Sequence, residues 1–174
     1  MDNYKSWSGL KKQLNDFLCE ELSGRISYFF TNYHDVHNAY GRASIRFDDR
    51  ELVCFAWIET HYQELAVSDI FKFEPGMNYD EVYEEMYKRL KPDWDKNCTY
   101  SELDFIDAVL HFRNMSIKSA LESEDYIIKI LAILDKRVGY RTLVKLAEDK
   151  DYIKYPEWVK QFFRLRFSAS RIVP

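Results

Sequence analysis

The hydrophobic period of this chain changes twice, and that change limits the folds open to it. Apolar residues Trp7, Leu10, Leu14, Phe17 and Leu18 recur at spacings of three and four, the pattern of one helix face. The spacing predicts a helix over 6–22, with Ser6 at its start and Ser23-Gly24 as its stop. The period then becomes two. Ile26, Tyr28 and Phe30 alternate with polar neighbours, as do Ala43, Ile45 and Phe47. Asp48-Asp49-Arg50 suits a tight turn. Leu52 to Ile58 (LVCFAWI) is apolar on both sides and reads as the most buried strand. The result is a three-stranded antiparallel meander with a wet face carrying Arg42, Arg46 and Tyr33.

Helical spacing returns after Pro75-Gly76. Residues 60–78 fit either a short helix or an added strand. Asn78 can cap a helix carrying Val82, Met86 and Leu90, which is expected to end before Pro92. Ser101 and Asp104 resemble a capping box ahead of Ile106, Val109 and Leu110. A turn over 116–121 leads to a strongly apolar helix over 124–135, expected to be central. A short helix around Leu143 follows Gly139, and Pro156 suits the first turn of the last one. The expected fold is α+β: an N-terminal helix, a three-stranded antiparallel meander, then a mostly helical C-terminal half packed on it. With 174 residues, one compact unit is expected, with an α-β-β-β part over 1–75 and a helical part over 76–174.

Composition excludes several classes. Three cysteines, none in C-x-x-C spacing, support neither a disulfide framework nor a zinc knuckle. No stretch approaches the roughly 20 apolar residues of a membrane span. The N-terminus lacks the apolar region of a secretory leader, so a cytoplasmic protein is expected. The net charge of −4 argues against non-specific nucleic-acid binding, which uses a basic face. No glycine-rich phosphate loop and no nucleophile elbow is present, and no cofactor is expected.

Three constellations carry possible chemistry. His34, Asp35 and His37 could hold a metal, with His61 or His111 completing the set. This loop, with Arg42, is the basis for reading a small metal-dependent hydrolase or nucleotide-binding enzyme. The segment from 151 carries Lys154, Lys160, Arg164, Arg166 and Arg171 among aromatics. It could track a phosphate backbone, although its regular apolar spacing fits an amphipathic helix with its bases in water. The stretch from Glu74 to Glu85 holds five acids and no base, and Tyr79, Tyr83 and Tyr87 run through it at four-residue spacing. Acids steer a basic partner and tyrosines anchor it. The candidate partner-binding residues are therefore Tyr79, Glu81, Tyr83, Glu84, Glu85 and Tyr87. The expected role is a non-enzymatic protein-binding module, such as an immunity or antitoxin-type inhibitor of a basic toxin or nuclease.

Finally, Trp7-Ser8-Gly9-Leu10, Gly24-Arg25, Gly41-Arg42-Ala43, Leu131 to Gly139, Arg141-Thr142-Leu143 and Pro156-Glu157-Trp158 resemble an uncharacterised bacterial protein family whose founding member is a hypothetical Shigella protein. The resemblance spans most of the chain except 60–98. It implies a bacterial protein and a shared structural role for the 135–141 turn. It brings no activity.

Overall fold

The computed structural model describes residues 6–31, 41–70 and 76–173. Helix α1 (Trp7–Phe17) opens it, with the Ser6 hydroxyl accepting the Gly9 N–H. The helix stops earlier than its apolar spacing predicts. Cys19 N donates to Leu134 O at 3.0 Å and Lys136 N to Phe17 O at 2.8 Å. Pairing with the 134–136 strand-like segment pulls Leu18 into extended backbone, and only a 3₁₀ turn, Glu20–Leu22, follows. Gly24 then takes the positive φ of 76° that glycine adopts without strain.

Strands β1 (Ile26–Thr31), β2 (Arg42–Phe47) and β3 (Arg50–Ala56) form an antiparallel sheet in that order. Asp48 and Asp49 turn the β2–β3 hairpin with both φ values positive, a conformation aspartate tolerates in tight hairpins. A bulge after Ile45 admits Leu52 as an extra residue. The most buried strand is β2, not the 52–58 run. β2 has a neighbour on each side, and Ala43, Ser44 and Ile45 are all inaccessible. β3 lies at an edge and ends at Ala56, so Trp57 and Ile58 open helix α2 (Trp57–Ser68) instead of closing the strand. The capping group is not local: Glu102 Oε2 accepts the Trp57 N–H at 3.0 Å. Residues 60–68 are therefore helix.

The remaining elements are α3 (Tyr79–Asn97), α4 (Glu102–Phe112), α5 (Ile117–Glu122), α6 (Tyr126–Leu134), α7 (Tyr140–Asp149) and α8 (Glu157–Ala169). A 3₁₀ turn, Asp151–Lys154, precedes Tyr155 and Pro156, the N-cap of α8. The Asn78 cap and the Ser101–Asp104 capping box form as predicted. Helix α3 does not end before Pro92. The proline faces outward, so the hydrogen bond it cannot donate is lost at the wet surface, while the continued helix buries Trp94.

One core joins the inward face of the sheet to α1, α4, α6 and α8. Phe55 stacks on Phe105 at 5.0 Å, and every residue from Ile127 to Leu134 is buried, the central position its sequence predicts. A second, smaller cluster holds Met86, Leu90 and Trp94 with Val67 and Tyr100. Helices α2 and α3 pack chiefly on each other and form a hairpin beside the main core. Trp158 Nε1 ties it down through Asp95 O at 2.7 Å.

Candidate functional site

Surface chemistry is unevenly distributed. Among the described residues twelve large apolar side chains are exposed, and seven of them fall between 62 and 87: Tyr62, Leu65, Ile70, Met77, Tyr79, Tyr83 and Tyr87. Exposed apolar groups grouped in this way mark interaction surfaces, whereas scattered ones carry no such meaning. The three tyrosines at helical spacing remain 65%, 57% and 50% exposed. Asp80, Glu81, Glu84 and Glu85 are interleaved with them on the first half of α3. Two of these acids also sit in the first turn, where the helix dipole favours them. The six candidate partner-binding residues thus all lie on one half-helix, on the hairpin outside the main core.

A groove runs along this hairpin. It is open to solvent, has a volume of about 490 Å³ and is lined by Glu64 from α2 and by Asp80, Tyr83, Glu84, Met86, Tyr87, Lys88, Leu90 and Trp94 from α3. Tyr83, Glu84 and Tyr87 belong to the sequence-derived set; Glu64 and Trp94 do not. Tyr87 meets the Trp94 ring edge-on at 5.3 Å. Burial pushes the Glu64 carboxyl above the usual range, against the nearby His61, which favours ionisation. Three carboxylates face one lysine around the groove, so its rim favours cations.

A second concavity of about 240 Å³ lies between α3, α4 and the start of α6, and includes Asp104, Asp107, His111, Glu124 and Asp125. Two of these acids hold the fold: Asp104 closes the α4 capping box, and Asp125 Oδ1 accepts from Ile127 N and Ile128 N. Burial, reinforced by a hydrogen bond to Asp95, pushes the adjacent Tyr100 phenol up.

The other sequence candidates separate. His34, Asp35 and His37, with Tyr33 and Glu74, lie outside the described residues. Among the described residues no three or more His, Cys, Asp or Glu gather as a metal site requires. Arg42 pairs with Glu51 at 2.6 Å and donates to Cys54 Sγ, and His61 stacks on Trp57 at 4.3 Å. Along the C-terminal segment, Phe162, Phe163 and Phe167 are buried. Lys154 pairs with Asp151, and Lys160 and Arg164 with Glu157. Arg166 is not on the wet face at all: it is buried, bonded to Glu21 at 3.0 Å and to Ser170.

The fold is an α+β unit of sheet and helices with a helical hairpin carrying exposed tyrosines and acids. A model of the SF0329 protein family matches residues 6–167, and the chain belongs to that family. No curated protein and no solved structure matches it. Among the described residues no helix is long and apolar enough to cross a membrane.

Proposed function

We propose that this protein is a non-enzymatic docking module that holds a basic protein partner against the α2–α3 hairpin. The most concrete form of the reading is an immunity or antitoxin-type inhibitor of a bacterial toxin or nuclease. The observation that carries it is the concentration of exposed aromatic and aliphatic side chains on the hairpin, with acids interleaved. Tyrosine offers large contact area with few rotatable bonds, and hot spots concentrate in such residues. Carboxylates around them speed encounter with a cationic surface and select against acidic ones.

The test is charge reversal. Changing Glu81, Glu84 and Glu85 together to Lys should slow association with a basic partner and weaken the complex. Unchanged affinity would remove the acids of this half-helix from the interface.

A further inference from the structure

Among the described residues four charged side chains are buried: Glu102, Lys129, Asp135 and Arg166. Three of them have the partner that burial demands. Glu102 caps α2, Asp135 pairs with Arg137, and Arg166 pairs with Glu21. Lys129 is only 7% exposed, and among the described residues no carboxylate pairs with it. Its Nζ donates to Leu121 O and to the Tyr155 hydroxyl, both at 3.3 Å, and lies 4.7 Å from the centre of the Tyr155 ring. An ammonium carries three N–H donors, so one is left without an acceptor. A buried charge without a counter-ion is costly to hold.

Lys129 is not sealed in. With Ser123, Tyr126 and Tyr155 it lines a concavity of about 350 Å³ between the C-terminal half of α3, the α5–α6 connection and the turn before α8. That volume lies in the range of small-ligand sites. The Tyr155 and Ser123 hydroxyls accept from Lys129 Nζ and Asp125 N, which leaves their own protons to donate. A cation and two hydroxyl donors thus share one concavity, the requirement of a bound carboxylate.

The remaining lining residues narrow the ligand. Lys91 is engaged by Asp95 at 2.8 Å, so that pair adds no net charge. Glu122 and Glu124 are exposed and line the same concavity. They repel a ligand carrying several negative charges, such as a nucleotide, and attract an ammonium. Tyr126 and Tyr155, with ring centres 5.8 Å apart, offer an aromatic wall to a short carbon chain. A small amino acid, with one carboxylate and one ammonium, meets all of these demands.

We infer that this concavity is a small-molecule site for an amino acid, its carboxylate held by Lys129 and the Tyr155 hydroxyl and its ammonium by Glu122 and Glu124. None of its lining residues lines the α2–α3 groove, so the site goes beyond the docking reading and stands or falls separately from it.

The experiment titrates the full-length, ¹⁵N-labelled chain and follows the Ser123 and Tyr126 amide signals. The probes are glycine, β-alanine and γ-aminobutyrate, which differ in the distance between carboxylate and ammonium. Butyrate and butylamine, each lacking one charge, are the controls. At least one amino acid should shift both signals saturably, and each control should bind at least about tenfold more weakly. Lys129→Met keeps the apolar stem and should weaken amino-acid binding at least about tenfold, the scale of a hydrogen bond to a charged group. Tyr155→Phe keeps the ring and should weaken it severalfold, and this variant carries the test where Lys129→Met does not fold. The double variant Glu122→Gln, Glu124→Gln should bind the amino acid no better than butyrate. No saturable shift with any of the three amino acids overturns the site. So does butyrate binding as tightly as γ-aminobutyrate, or undiminished binding to folded Lys129→Met or to Tyr155→Phe.

Discussion

The guanidinium of Arg137 folds back onto the carboxylate of Asp135, two residues earlier. Nε stands 2.9 Å and Nη2 2.7 Å from Oδ2, while the Arg137 N–H caps Oδ1 at 2.7 Å. The arginine lies between rings, 4.6 Å from the centre of Phe17 and 5.5 Å from that of Phe112. Nη1 reaches Met115 O. One side chain thus joins α1, α4 and the turn after α6, and the structural reading of this turn follows from these contacts. Removing the cation leaves a buried carboxylate without its ion partner, so Arg137→Ala should cost about 2–3 kcal/mol. Arg137→Lys should recover part of that, lacking the planar fork. Urea denaturation measures both, and equal stability of Ala and wild type would deny the turn this role.

Gly41 and Glu102 supply a second stability prediction. A Cβ on Gly41 would stand 2.3 Å from Glu102 Oε1. The carboxylate cannot swing away freely, because it is buried and caps the first N–H of α2. Gly41→Ala should therefore displace the cap and lower stability by about 1–2 kcal/mol. Thermal unfolding reads the loss. Glu102→Ala should lower stability too, and adding Gly41→Ala to it should cost little more, since both changes act on one contact.

Glu64 makes stability depend on pH. Burial raises its pKa in the folded chain, so the folded state binds a proton more readily than the unfolded one. Ionised Glu64 then weighs against folding at neutral pH, and the penalty disappears as pH falls through the raised value. Glu64→Gln should unfold at a higher temperature than wild type at pH 7, with the gap closing toward pH 4. A gap that stays constant over that range would contradict the assignment.

The exposed tyrosines should separate binding from stability. Tyr83→Ala and Tyr87→Ala each remove a half-exposed ring from the groove wall. Each should weaken partner affinity at least tenfold, the scale of an interface hot spot. Melting temperature should fall for Tyr87→Ala, because the Tyr87 ring packs on Trp94. Calorimetric titration beside a melting curve checks both.

Local patterns carried much of this fold. Strand alternation, the Ser101–Asp104 box and the apolar run through α6 each depend on neighbours in sequence, and each reads directly. The differences arise where distant groups decide. Nothing near Trp57 announces that a carboxylate from residue 102 will cap a helix there. The end of α1 is set by backbone pairing with 134–136, and α3 runs through Pro92 because Trp94 has a buried place beyond it. The candidate docking surface was half legible. The tyrosine spacing and the acids are sequence features, but Glu64 comes from a stretch that fitted helix or strand, and Trp94 lies past the expected helix end. Only the packed hairpin brings them to one groove.

The most direct test of the central claim is a paired capture from native-host lysate at moderate salt. Tagged wild type and the Glu81, Glu84, Glu85 to Lys variant are compared at matched folding, with captured proteins identified by mass spectrometry and stoichiometry fixed by size exclusion. The account predicts a stoichiometric basic protein on wild type that is lost from the variant and released as salt rises. The same partner held equally by both chains, or a wild-type chain that emerges as a clean monomer with nothing bound, would contradict it.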